Sequence, residues 1–93
     1  MFKRWYLSRV QTEIDQRGAQ LAEERTRAAA ASEAQRAEHQ RLIAAAEGKG
    51  HDLRLRLDEL RKSGKEHHAE IKATVESARV GFGDAVRSAR HFA

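Results

Sequence analysis

The chain has 93 residues, a formal net charge of +4, and neither cysteine nor proline. Its length allows one domain at most, and the lack of cysteine excludes a disulfide scaffold. Seventeen residues are alanine and only seventeen more are Leu, Ile, Val or Phe. That composition excludes a conventional globular core and favours helix. We therefore expect a single all-α domain over residues 1–93.

The first predicted element is a long amphipathic helix over about residues 2–47. Its large apolar side chains follow a heptad pattern, as in the seam of a coiled coil. The seam residues of this helix are Leu7, Ile14, Leu21 and Leu42. Charged residues at companion positions, Arg17, Glu24 and Glu38, weaken the seam. The pattern predicts a helix that needs a partner helix.

A turn is predicted at residues 48–50, because each of the two glycines in Gly48-Lys49-Gly50 lowers helix stability by about 1 kcal/mol. A second helix follows over about residues 51–91, with a possible break at 63–65 or 81–83. Its apolar stripe continues the seam through Leu53, Leu57, Leu60, Ile71 and Val75. The two helices would fold into a long antiparallel hairpin. Because so few large side chains stabilise it only marginally, we expect hairpins to self-associate into a helix bundle.

The sequence contains no recognisable catalytic or cofactor motif. No serine lies in a nucleophile elbow, and Gly48-Lys49-Gly50 lacks the flanking residues of a phosphate-binding loop. His67 and His68 lie near Glu70, but neither histidine has the spacing to a glutamate that a metal site on a helix uses. We interpret the two histidines as an exposed polar patch, or as a pH-sensitive part of the seam if they face it. We expect no enzyme activity, no cofactor and no metal.

All five aromatic residues lie near the two ends of the chain, with basic residues beside them. In a hairpin that turns near residue 49, the two chain ends meet. The expected basic-aromatic end comprises Phe2, Lys3, Arg4, Trp5, Tyr6, Arg9, Phe82, Arg90 and Phe92. Such a surface is typical of a protein docking site and also of an interfacial membrane anchor.

The main functional expectation is a non-catalytic interaction or structural protein that self-associates or docks in a larger complex through this end. One alternative is a peripheral membrane protein anchored by residues 1–10, which hold three bases and no acid. Another is a nucleic-acid binder that uses the basic segment 49–65. Its phosphate contacts would come from Lys49, Arg54, Arg56, Arg61, Lys62 and Lys65. With no signal peptide or membrane span in the sequence, we expect a cytoplasmic location, at a membrane if residues 1–10 anchor it.

Overall fold

A computed structural model describes residues 2–92, and for Phe2 the backbone only. Three helices form a bundle from this part of the chain: α1 (Phe2–Ala29), α2 (Glu33–Lys62) and α3 (His68–Arg90). The predicted all-α class is confirmed. The bundle is elongated, with principal extents of 51 × 18 × 17 Å.

Contacts between helices define their directions. Arg25 of α1 pairs with Glu47 of α2, and Lys3 of α1 reaches the end of α2 at Arg61, so α1 and α2 are antiparallel. Arg79 of α3 pairs with Glu13 at one level of α1, and residues near the end of α3 contact the end of α1. Helices α1 and α3 therefore run parallel to each other.

The chain turns at residues 30–32 and 63–67, and α2 continues through 48–50 without a break. The predicted two-helix hairpin with a turn at 48–50 is therefore wrong. Gly50 serves packing instead: a Cβ atom at this position would lie 2.9 Å from the Phe82 ring, so any side chain here would force the ring out of its present position. Helix α3 is likewise continuous through 81–83, whereas α2 ends next to the possible break at 63–65.

The second turn is held by a side chain from α1. Lys3 Nζ donates hydrogen bonds to the carbonyl oxygens of Arg61 and Ser63, at 3.2 and 3.0 Å. These carbonyls lie at the end of α2, where a helix leaves carbonyl groups without partners within it. The lysine charge also complements the negative end of the α2 dipole. Lys3 thus joins the start of α1 to the end of α2.

The core runs along the bundle axis and receives one face from each helix. Its buried side chains are Tyr6, Val10, Ile14, Leu21, Ala28, Ile43, Ala46, Leu53, Leu57, Leu60, Val75, Phe82, Val86 and Ala89. Six of the nine predicted seam residues belong to this core, and the other three, Leu7, Leu42 and Ile71, pack against it. One chain thus buries a stripe that was expected to need a second copy. None of the three described helices is long and apolar enough to cross a membrane.

Candidate binding face

The basic-aromatic end predicted from the hairpin does not form. Trp5 and Tyr6 lie near the second turn, Phe82 packs against Gly50 in the middle of the bundle, and Phe92 stacks on His39 with ring centroids 5.0 Å apart. The rings are separated because α1 and α3 run parallel, which leaves the two chain ends at opposite ends of the bundle. The Phe2 side chain lies outside the described residues.

The N-terminal half of that predicted end forms a smaller basic-aromatic surface. Trp5 is 62% exposed, and Arg9 Cζ lies 5.4 Å from the centroid of its ring, within the range of a cation–π contact. Arg4 is also exposed. Tyr6 points the other way, into the core at 9% exposure, with Lys72 Nζ 4.8 Å from its ring centroid. This surface adjoins α3, far from Arg90 and Phe92.

A ladder of polar contacts joins α1 to α3 next to this surface. The Tyr6 hydroxyl donates to Glu76, and Arg79 donates to Glu76 at 2.7 Å and to Glu13 at 2.5 and 2.9 Å. Glu13 also accepts from Arg17 at 3.2 Å. Both carboxylates are therefore already occupied by contacts that hold α1 against α3.

The ladder changes the pKa values of its members. Burial and the hydrogen bond to Glu76 raise the pKa of Tyr6 to about 12. Burial alone would raise the pKa of Glu76, but hydrogen bonds from Tyr6 and Arg79 and the positive charge of Arg79 lower it below its ordinary value. Burial alone would lower the pKa of Arg79, but the hydrogen bonds to Glu76 and Glu13 and their negative charges raise it above its ordinary value. At neutral pH the Tyr6 phenol is therefore neutral, and Glu76 and Arg79 are charged.

A basic groove continues from the ladder toward the C-terminal ends of α1 and α3. It has a volume of about 440 Å³ and is lined by Arg17, Gln20, Gly83, Val86, Arg87, Arg90 and His91. None of these lining residues is acidic, although Arg17 and Arg87 each pair with a carboxylate beside the groove, Glu13 and Asp84, at 3.2 Å. Gly83 lets Arg17 lie against the α3 backbone, since a Cβ atom there would be 3.2 Å from Arg17 Nη2. The α1–α3 contact thus places three guanidinium groups around one groove.

We define the basic face as the exposed α1–α3 surface that runs from the exposed indole to this groove. It comprises Trp5, Arg9, Arg17, Lys72, Arg79, Arg87 and Arg90. Successive grooves connect its five arginines: Arg9, Arg17 and Arg79 line one, Arg17, Arg79 and Arg87 line the next, and the basic groove follows. Glu13 also lines the first two grooves, and Glu76 and Asp84 line the second. At 1.5 Å per residue, the face spans about 27 Å along α3 from Lys72 to Arg90.

The six basic residues predicted to contact nucleic acid through segment 49–65 do not share one surface. Lys49 and Arg56 line a groove between α2 and α3, whereas Arg54 lines a groove between α1 and α2. Two of the six have acidic partners on α2: Arg56 pairs with Asp52 at 3.0 Å, and Arg61 pairs with Asp58 at 2.6 Å. Lys62 and Lys65 lie exposed at the second turn. The continuous α2 helix therefore splits this set between two sides of the bundle.

A buried polar cluster lies at the end of the bundle opposite Trp5. Glu24 and His39 are 3% and 2% exposed, and His39 Nε2 lies 3.0 Å from both Glu24 Oε1 and the Ala89 carbonyl oxygen. Both are acceptors, so Nε2 carries the proton. Arg27 Nη1 donates to the same Glu24 oxygen at 2.7 Å. The cluster ties the three helices together, and its satisfied atoms point to a structural role.

The remaining histidines that the sequence singled out lie at the second turn. His67 precedes α3 and is exposed, and its Nδ1 atom is 3.9 Å from Glu70. His68 is the first residue of α3 and is half-buried. Within residues 2–92, no group of three or more His, Cys, Asp or Glu side chains has an arrangement that could hold a metal ion.

Comparisons with protein-family models, with curated proteins and with solved structures find no match for this chain. The basic face is therefore a candidate on its geometry and charge. Sequence reasoning missed Arg17, Arg79 and Arg87 as surface partners of one another, because only the parallel α1–α3 arrangement brings them together.

Proposed function

We propose that this chain is a non-catalytic binding protein that docks on an anionic macromolecule through the basic face. The observation that carries the proposal is the groove in which Arg17, Arg87 and Arg90 meet. Arg17 and Arg87 each pair with one carboxylate, Glu13 and Asp84, but such surface pairs are weak, and the groove keeps an excess of positive charge. Like charges brought together in a groove raise its positive potential, and an anionic partner relieves the repulsion.

Binding fits the chemistry of this face better than catalysis does. An arginine side chain stays protonated at neutral pH and offers several fixed N–H donors. It therefore orients an anion well and exchanges protons poorly. The exposed indole of Trp5 adds apolar contact area beside these cations, a combination that is common at recognition surfaces.

The membrane alternative has less support. Of the apolar residues in segment 1–10 whose side chains are described, Tyr6 and Val10 are buried in the core and Leu7 packs against it. Trp5 is left as the described apolar side chain of this segment that could insert into a bilayer. A single inserted side chain gives weak attachment to a membrane. Self-association remains a prediction, although the apolar stripe that motivated it faces inward within one chain.

The proposed function is tested by NMR titration of the ¹⁵N-labelled protein with heparin, a generic polyanion. Shifts should concentrate at α1 and α3 positions of the basic face, and Arg87→Gln with Arg90→Gln should weaken binding by roughly threefold per arginine, the equivalent of ~0.7 kcal/mol for an exposed ion pair. The matched control is Arg54→Gln, which removes an exposed arginine from α2 and should leave the affinity unchanged. Shifts spread evenly over α2, or an equal loss in the control, would contradict the proposal.

A further inference from the structure

We infer that the anionic macromolecule is single-stranded nucleic acid, with its phosphates along the arginines of the basic face and one base stacked on Trp5. This inference rests on the proposed function and specifies its ligand. It joins two features that the core does not require: an exposed indole at one end of the face and a groove lined by three arginines at the other.

Trp5 has the properties of a stacking platform. The residue is 62% exposed although it sits on a well-formed helix, and Arg9 Cζ lies 5.4 Å from the centroid of its ring. Aromatic side chains bind unpaired bases of any sequence by stacking, and neighbouring cations add to the contact. In a duplex the base faces are already stacked inside the helix, so an open indole has little to bind there. The exposed ring therefore favours a single strand.

The arginine groove has the properties of a phosphate track. Guanidinium groups bind phosphate oxygens through two parallel hydrogen bonds, and Arg17, Arg87 and Arg90 surround one groove. The nearest carboxylates of the ladder, Glu13 and Glu76, already accept hydrogen bonds from Arg79. Glu13 also accepts from Arg17, and Asp84 accepts from Arg87, both at 3.2 Å. Surface ion pairs of this kind are weak, so a phosphate can compete with the carboxylates for these guanidinium groups.

The length of the face matches an extended polyanion better than a compact anion. The cations are spread over about 27 Å of α3, which corresponds to roughly eight nucleotides at 3.4 Å per nucleotide of a stacked strand. Proteins that bind single strands commonly cover about 4 to 16 nucleotides. An acidic protein segment would also complement the charge, and the titration with polyglutamate distinguishes it from a single strand.

The test uses Trp5 as the reporter, because it is the only tryptophan in the chain. The protein is titrated with an oligothymidylate of about twelve nucleotides, with a duplex of the same length and with polyglutamate, over roughly 50 to 200 mM salt. We expect the single strand to bind most tightly and to quench the Trp5 fluorescence. Its affinity should fall with salt, with a log–log slope of about −0.7 per neutralised phosphate.

Two variants separate stacking from charge when binding is followed by the anisotropy of a labelled oligothymidylate. Trp5→Ala should weaken binding about 5- to 150-fold, the equivalent of ~1–3 kcal/mol for one stacked base, without changing the salt slope. Arg87→Gln with Arg90→Gln should reduce the magnitude of the slope by about 1.4. Arg54→Gln, the exposed α2 control, should change neither quantity. Circular dichroism melts check that each variant is folded.

The outcomes distinguish this inference from the proposed function. If polyglutamate or the duplex binds as tightly as the single strand and Trp5 is not quenched, the inference is overturned. The proposed function would still stand. Binding of no polyanion at all would overturn both. The inference would also be overturned if replacing Arg87 and Arg90 left both the binding and its salt slope unchanged. The phosphates would then lie elsewhere.

Discussion

Glu24 shows how a charged residue can occupy a core position. In the sequence it interrupts the heptad seam, but in the structure it accepts hydrogen bonds from His39 and Arg27. A buried carboxylate is costly unless partners of this kind compensate for lost hydration. The partner His39 lies 15 positions away on another helix, so the compensation could not be read from local sequence.

Replacing this carboxylate should destabilise the protein. Glu24→Ala leaves the His39 and Arg27 donors without their shared acceptor and should lower the free energy of unfolding by about 1–3 kcal/mol. Glu23→Ala removes the neighbouring, exposed carboxylate and should change it by less than about 0.5 kcal/mol. Urea denaturation of both variants measures the difference. Equal effects of the two substitutions would show that the buried cluster contributes nothing specific.

The titration of Tyr6 tests another residue of the structure, through its burial and its hydrogen bond to Glu76. Tyr6 is the only tyrosine, so the absorbance of its phenolate reports one group, with an expected midpoint of about 12. The folded-state pKa is raised, so the stabilisation is complete below the ordinary pKa of 10 and is lost as pH rises toward 12. Glu76→Gln should lower the midpoint, although burial keeps it above 10. A wild-type midpoint at 10 would mean that the phenol is neither buried nor bonded to Glu76.

At the scale of elements, the helical type was predictable and the helix ends were not. Apolar side chains at spacings of three and four residues predict helix throughout, and the structure is helical throughout except at its turns. The first turn is not predicted because it lies in an alanine-rich stretch, and alanine is the strongest helix former. One local signal exists: Ser32 precedes Gln35 by three residues, the spacing of a capping box. Ser32 is the N-cap residue of α2, although its side chain makes no cap hydrogen bond.

The glycines of α2 show why helix propensity wrongly predicted a turn at residues 48–50. Glycine costs a helix about 1 kcal/mol relative to alanine, but that cost is offset when the helix buries apolar side chains on both sides of the site. Leu53 and Leu57 follow immediately and are fully buried, and each such leucine contributes roughly 1.5–3 kcal/mol. Tertiary packing therefore outweighs the two glycines, and the helix continues.

Two alanine substitutions test this explanation as a matched pair. Gly48 has nothing within 4 Å of an added Cβ atom, so Gly48→Ala should raise the free energy of unfolding by up to about 1 kcal/mol. Gly50→Ala places the new methyl against Phe82 and should lower it by about 1–2 kcal/mol after the propensity gain. Thermal melts of the two variants give the comparison. Stabilisation by both would indicate that Phe82 does not pack on Gly50.

At the scale of the whole molecule, the position of the turns decides which side chains share a surface. A hairpin turning at residue 49 would place Arg90 beside residue 8 and far from Arg17. Turns at 30–32 and 63–67 make α1 and α3 parallel, and Arg17, Arg87 and Arg90 then line one groove. The individual exposed cations were visible in the sequence, whereas their grouping depends on the path of the chain.

The continuity of α2 is therefore the central claim, and a distance within one chain tests it directly. Spin labels at the exposed positions Gln40 and Glu59 lie on opposite sides of the two glycines. A continuous helix separates them by 19 residues, or about 28 Å between the backbone positions at 1.5 Å per residue. Doubly labelled chains are diluted with unlabelled protein and measured by pulsed electron paramagnetic resonance. The distances should form a single distribution centred near that value. Dipolar broadening of the continuous-wave spectrum, from labels about 10 Å apart as on packed helices, would mean that the chain turns at 48–50 and would contradict the three-helix account.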